Sequence, residues 1–415
     1  MKRFQIFKHE YINQHQNYII MKKLLFFISL FVIVFINTLA QQAQTVYSII
    51  KEDKPHSFYV QQAELWWKEI EKNDKNEDAW YNYYKANRYA EKTFYECETP
   101  QCKEMKSWTQ ESPYLKEAEI IQKLIEQNIP ETFTYYLVSQ NKGKPNDKLY
   151  AEFIQKAHAL RPNAFEPYPL LVLSTEFAVD AQKRADYNKE WYKLNDISSG
   201  ILNFSYNMLM SMKEGGLILT FGDNDTFPLW MLQDVMGIRK DVTVLNVSLL
   251  LITEYRNRSF EKLRIPALYK EIDKILPSDY EKLMVDYIVK NKPDGLPLYI
   301  STTDWKQFQE YEKNLYLVGV VLEYSKENID NIALLKNNFE NKYALDYIYN
   351  QFSFDISQGV VNRVNINYLP GIIKLYEHYK LSGDIENQEK MKKIGLLIGE
   401  KAGEYWQNKA ISVLK

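Results

Sequence analysis

The stretch Leu217-Ile-Leu-Thr-Phe-Gly-Asp-Asn-Asp-Thr-Phe-Pro-Leu-Trp230 decides the fold. Leu217 to Phe221 is a short continuous apolar run, the pattern of a strand buried on both faces. Gly222-Asp-Asn-Asp-Thr226 is a polar turn. Pro228 then stands in the first turn of a helix reaching Met236, where the N–H that proline lacks would be unpaired anyway. Val242-Thr-Val-Leu-Asn-Val247 is a second strand. Strand, helix and strand in this order predict a βαβ unit with parallel strands and a right-handed crossover.

Working outward, Ser198 to Lys213 reads as a helix, with Asp196 or Ser198 as N-cap and Gly215-Gly216 as its stop. Leu296 to Ile300 and Leu315 to Leu322 offer two more strands, and most of 258–290 reads as helix. The fold class expected is α/β plus all-α. A small parallel sheet of three to four strands occupies an α/β domain at 196–335, flanked by helical repeats at 41–195 and 336–415.

The flanks carry the helical period. Phe58 to Ile70 is amphipathic, Glu71 to Asn76 breaks it, and Ala79-Trp80-Tyr81 opens a second amphipathic stretch to about Ala90. Leu149 to Leu160, Arg161-Pro-Asn163 and Phe165 to Phe177 repeat that layout. Both turns resemble those of tetratricopeptide repeats, as does Leu375-Tyr-Glu-His-Tyr379 followed by Ser382-Gly-Asp384. Such helix pairs predict a protein partner. The aromatic stripes on them serve interhelical packing or sugar stacking.

The loop after the first strand carries the candidate site. Ligands of open parallel sheets bind at the carboxyl ends of strands. Gly222 would let the backbone approach a ligand, and Asp223 and Asp225 could hold a divalent cation, a sugar hydroxyl or a water. Asn224 and Thr226 complete the loop. Asn246 and Ser248 end the second strand, and Thr302, Thr303 and Asp304 end the third. The candidate ligand-binding set is therefore Gly222, Asp223, Asn224, Asp225, Thr226, Asn246, Ser248 and Asp304, with Asp223 and Asp225 as candidate metal ligands. The alternative is structural: Asp225 or Thr226 as N-cap of the next helix, and Asp223 ordering the turn.

Spacing excludes several chemistries. An EF-hand loop starting at Asp223 needs Gly at its sixth position, where Pro228 stands. Asp223-Asn-Asp225-Thr-Phe227 departs from the haloacid dehalogenase pattern at its last position. Neither Gly-x-Gly-x-x-Gly nor Gly-x₄-Gly-Lys-Ser/Thr occurs. The five His are scattered, which disfavours a His-rich metal site or a Ser-His-Asp triad. The sequence identifies no reaction.

Residues 21–40 have the order of a secretory signal: Met21-Lys-Lys23, an apolar run from Leu24 to Ile36, and small residues before a cleavage site after Ala40. The apolar run is shorter than the roughly 20 residues that span a bilayer. Residues 1–20 read as a start-site extension. The expectation is an exported protein, periplasmic or at the cell surface, with no transmembrane span after cleavage. Residues 1–40 hold five Lys/Arg and one Glu, so the remainder has 47 basic and 53 acidic residues, a net of −6. That balance disfavours nucleic acid as a partner. Cys97 and Cys102, the two cysteines, flank a Pro turn and predict a disulfide in an oxidising compartment. A C-x₄-C metal half-site is the alternative, and it lacks a second pair.

Phe204-Ser-Tyr-Asn-Met-Leu209, Leu217 to Thr220, Gly222 to Trp230, Gly237-Ile-Arg-Lys-Asp-Val242 and Val244-Leu-Asn-Val-Ser-Leu-Leu250 together resemble one bacterial family. It comprises large polytopic membrane proteins related to protein O-mannosyltransferases and is catalogued as a domain of unknown function. The block is similar to their soluble C-terminal part over about 200–250, and more loosely over 295–400. Leu251 to Tyr255 departs from the Trp-Tyr pair usual there. The resemblance implies a binding or scaffold module of the cell envelope, accessory to protein or envelope glycosylation, with a glycan or small polar ligand. The competing reading is a metal-assisted hydrolase or transferase acting on glycan or phosphate through Asp223 and Asp225.

Overall fold

A computed structural model describes residues 42–108, 111–142, 147–268, 277–303 and 311–415. The expected signal segment at 21–40 and Asp304 lie outside the described residues. The chain forms two compact units, one of Gln42–Val46 with Pro55–Asn128 and one of Tyr47–Lys54 with Ile129–Lys415. The boundaries expected at 195/196 and 335/336 fall inside the second unit.

The first unit holds α1 (His56–Lys72), α2 (Glu77–Phe94), α3 (Pro100–Trp108) and α4 (Glu117–Asn128). The break between α1 and α2 falls where the polar run predicts it, because Asn76 caps α2 by accepting from the Ala79 N–H at 3.2 Å. Tyr59, Ala63, Ala86 and Ala90 interdigitate between the two helices, and Val46 joins them. Tyr59 and Trp80 are buried, so these aromatics pack between helices; Trp67 keeps an exposed face. The sulfurs of Cys97 and Cys102 stand 2.12 Å apart. The five-residue separation closes a very short loop, so an oxidised pair stabilises near the low end of the usual ~2–4 kcal/mol. Thiol labelling of the unreduced, denatured protein should find no reactive cysteine; two reactive thiols would refute the bond.

The second unit opens with α5 (Phe133–Ser139), α6 (Lys148–Leu160), α7 (Tyr168–Phe177), α8 (Ala181–Lys193) and α9 (Ser199–Met210). The α/β part follows: β1 (Leu217–Thr220), α10 (Phe227–Met236), β2 (Thr243–Asn246), α11 (Thr253–Lys262), α12 (Pro277–Asn291), β3 (Leu298–Ser301), β4 (Leu315–Leu317) and β5 (Val321–Tyr324). Then come α13 (Asn331–Asn337), α14 (Asp346–Tyr349), α15 (Gln358–Asn365), α16 (Leu369–Ser382), α17 (Ile385–Lys401) and α18 (Glu404–Val413). The whole is mostly helical, and the helices on both sides share one continuous core with the sheet. Tyr150 and Trp191 from before it, and Tyr368 and Ile372 from after it, belong to the same cluster as Leu219 and Ile300. Helical hairpins are present where the repeat-like turns predict them; a tetratricopeptide register does not emerge from them.

Five strands form one sheet in the order β2-β1-β3-β5-β4. β1 pairs in parallel with β2 and β3, as the βαβ reading requires. β5 runs antiparallel to both β3 and β4. The sheet is thus mixed and five-stranded, and the expected all-parallel sheet of three to four strands is corrected. The difference arises at Leu315–Leu322, which doubles back at Val318-Gly319-Val320 instead of running on. A Cβ at Gly319 would lie 1.8 Å from the Tyr343 Oη, so glycine is what lets the turn pack there. Tyr343 Oη in turn accepts from the Val320 N–H at 3.2 Å.

Ser198 caps α9 through the Gly200 N–H, one of the two caps expected. The helix ends at Met210, not Lys213, and Arg239 binds carbonyls of its last turn and of the segment just beyond it. The Arg239 guanidinium donates to Leu209 O, Met212 O and Lys213 O at 2.8–2.9 Å. It also holds Asp241 at 2.8 and 2.9 Å. That pairing, with the Gly215 N–H, lowers the Asp241 carboxyl from 3.8 to about 2. A lowered carboxyl stabilises the fold above 3.8, and the effect is lost as pH falls towards about 2. Asp241 is 30% exposed, so the contribution should stay below ~1 kcal/mol. Asp241→Asn should therefore be slightly less stable than wild type at neutral pH. The gap should close across that acid window; a constant gap would mean the carboxylate charge does not matter.

Candidate functional site

The carboxyl ends of β1, β2 and β3 meet on one rim, because all three run in parallel. Thr220 pairs with Asn246 in register, and Ser301 follows Ile300, the partner of Leu219. The loop 222–226 crosses this rim from β1 to α10.

Its two acids play different parts. Asp225 is buried and points inward. One carboxylate oxygen accepts from the Gly222 N–H at 2.8 Å, the other from the Phe221 N–H at 3.3 Å and from the Thr303 Oγ1 at 2.6 Å. Burial pushes its carboxyl above the ordinary value, while these hydrogen bonds pull the other way. Asp223 is exposed on the outer face. Its carbonyl accepts from the Thr226 and Phe227 N–H groups at 3.3 and 3.1 Å. Thr226 stands at the N-cap position of α10, as the structural alternative had it, but makes no side-chain capping bond there. The Thr226 hydroxyl instead donates to Gly222 O at 2.6 Å and faces the Thr220 hydroxyl at 2.7 Å.

Gly222 does not adopt a left-handed conformation. A Cβ there would make ordinary contact with Asp225 at 3.6 Å, so its part in the loop is its N–H and not its freedom. Asn246 donates to the Thr226 Oγ1 at 2.9 Å and accepts from the Leu249 N–H at 3.3 Å. Ser248 donates to Glu281 at 3.1 Å. Asn224 donates outward to Ile50 O at 3.0 Å. Of the predicted set, Gly222, Asp225, Thr226 and Asn246 form one bonded cluster with Thr303. Asp223, Asn224 and Ser248 stand around it. Among the described residues, no group of three or more His, Cys, Asp or Glu is placed to hold a metal ion.

Three features escaped the sequence reading. Glu281 reaches the rim from α12, far along the chain. Residues Tyr47–Lys54 run over the second unit, with Lys51 paired to Asp196 and stacked on Phe165 at 4.3 Å. Arg184 holds Asp234 bidentately at 2.9 and 3.0 Å and pairs with Glu176. None has a local pattern; each joins elements tens of residues apart.

A family model described as TMEM260-associated domain 2 matches residues 201–371. The match covers the sheet, the rim and the helices up to Gly371, which is the region carrying the resemblance drawn from the sequence. No curated protein and no solved structure matches the chain. No helix among the described residues is long and apolar enough to cross a membrane.

Proposed function

We propose that this is an exported, non-catalytic binding module, accessory to protein or envelope glycosylation, whose 222–226 rim takes a glycan or other small polar ligand. The observation that carries the reading is the division between the two acids. Two carboxylates that hold one metal must reach the same ion, and two that cleave a glycosidic bond must both face the same open site from either side of it. Here Asp225 is turned inward with both oxygens engaged by its own loop and Thr303, while Asp223 faces outward. A loop held from within by Asp225 and presenting one exposed acid suits recognition of hydroxyl groups better than turnover. The match to a TMEM260-associated domain supports the glycosylation setting, and the helix pairs offer surfaces for a protein partner.

The test is titration calorimetry with an O-mannosylated peptide and its unmodified twin. Preferential binding of the glycopeptide, weakened about tenfold by Asp223→Asn, with no product formed, is the expected result. Release of sugar or phosphate that requires Asp223 and an added divalent cation would replace this reading with the hydrolase or transferase one.

A further inference from the structure

A second feature of the α/β part lies away from the rim. β2 is an edge strand. On its inner side, the Thr243 N–H donates to Gly216 O at 2.8 Å and the Val247 N–H to Thr220 O at 2.9 Å. In a parallel ladder, the residue whose Cα partner makes both bonds presents its own groups to the other side. Ile218 pairs with Val244 in this way. The Val244 N–H and C=O therefore point outward. No strand among the described residues pairs with that edge. The carbonyl of Val242 is already taken, by Gln233 at 2.8 Å.

The outer edge of β2, from Val242 to Leu245, is one wall of a cleft of about 230 Å³. Arg184, Lys240, Arg258 and Lys262 also line it, with Glu176 as its sole acid among the described residues. Glu176 is occupied: it pairs with Arg184 and accepts from the Tyr255 Oη at 3.0 Å. Arg184 is answered a second time by Asp234. Arg258 donates to a carbonyl, that of Phe177. Lys240, Arg258 and Lys262 thus have no carboxylate partner among the described residues. They line the same cleft as Val244, whose outer N–H and C=O no described strand pairs, in a chain whose net charge is −2.

We infer that this cleft binds an acidic peptide segment in extended form, which pairs with the outer edge of β2. The N–H and C=O of one residue are the two-point contact that an added strand makes. An anion without a hydroxyl, such as sulfate, would use the cations but has no donor for the Val244 carbonyl. The alternating side chains of an added strand project to opposite sides, so acidic residues two apart can face Lys240, Arg258 and Lys262.

The probe is a fluorescein-labelled Glu-Val alternating hexapeptide, with three comparisons measured by anisotropy. These are its Lys-Val counterpart, a version methylated on alternate backbone nitrogens, and citrate as competitor. The acidic peptide should bind saturably and the basic one should not. Backbone methylation should weaken binding at least about tenfold, and so should Lys240→Glu combined with Lys262→Glu. Both lysines are exposed, and an unchanged melting temperature would show that the double variant folds. Asp223→Asn should leave peptide binding intact, which separates this site from the rim. Equal binding of the methylated peptide, or of citrate at the same affinity, would overturn the strand-pairing inference in favour of a small-anion site. Equal binding of the basic peptide, or none of the acidic one, would overturn it outright.

Discussion

Asp225→Ala should cost the second unit about 3 kcal/mol of stability. The change strips acceptors from the Phe221 and Gly222 N–H groups and from the Thr303 hydroxyl. These donors lie on half-buried or exposed residues, so each costs less than the roughly 1–3 kcal/mol of a fully buried donor left unpaired. The total should fall short of their sum, because removing a buried carboxylate also removes its desolvation penalty. Asp223→Asn, on the exposed side of the same loop, should shift stability by no more than ~0.5 kcal/mol. Urea denaturation of both variants makes the comparison, and equal midpoints would remove Asp225 from its structural place. The pH dependence has a definite sign. Burial raises the carboxyl in the folded protein, so its linkage contribution is complete below the ordinary 3.8 and fades as pH rises through the folded value. Relative to Asp225→Asn, wild type should therefore be at its best in acid.

Arg184→Met should have an effect of the same order or larger, about 3–5 kcal/mol. Arg184 sits between Glu176 and Asp234, which are 19% and 9% exposed, and lies over the Trp230 ring at 5.3 Å. Asn188 adds a hydrogen bond to Asp234 at 2.7 Å. Without the guanidinium, two poorly hydrated carboxylates face each other across α7, α8 and α10. A fall in melting temperature of about 10 °C is the measurable form of this. Arg184→Met combined with Asp234→Leu should recover much of it, since a buried pair is worth far less than the penalty of leaving one half alone. A double variant as unstable as the single one would mean that the lost contact with Trp230, not charge, dominates.

The strands β1, β2 and β3 were legible because each is a continuous apolar run bounded by turn residues. β4 and β5 were not separable, because Leu315 to Leu322 contains no polar break. Gly319 was the one hint, and its meaning depends on Tyr343, which the fold brings to it. At the rim, the residue types and their convergence could be read, since strand ends of a parallel sheet share an edge. Which acid turns inward could not. Asp223 and Asp225 are chemically alike and two residues apart, and the choice rests on where the N–H groups of Phe221 and Gly222 and the Thr303 hydroxyl fall. The extent of the shared core was hidden for a related reason. Helical period marks Leu149–Leu160, and the repeat-like pattern marks Leu375–Tyr379, without saying that both belong to one core with the sheet.

Tyr47–Lys54 belongs with the residues after Ile129, although 74 residues of the other unit, Pro55–Asn128, separate them. In design terms, Pro55–Asn128 interrupts the host, spliced between its Tyr47–Lys54 segment and Ile129. The smallest autonomous fragment carrying the rim is then not contiguous. A truncation starting at Ile129 would discard the carbonyl that Asn224 uses at Ile50, the Lys51 partner of Asp196 and the Asp53 partner of Arg363. A deletion that joins Lys54 to Ile129 through a flexible linker would keep all three. Excising the guest, and not trimming the terminus, is the route to an isolated host.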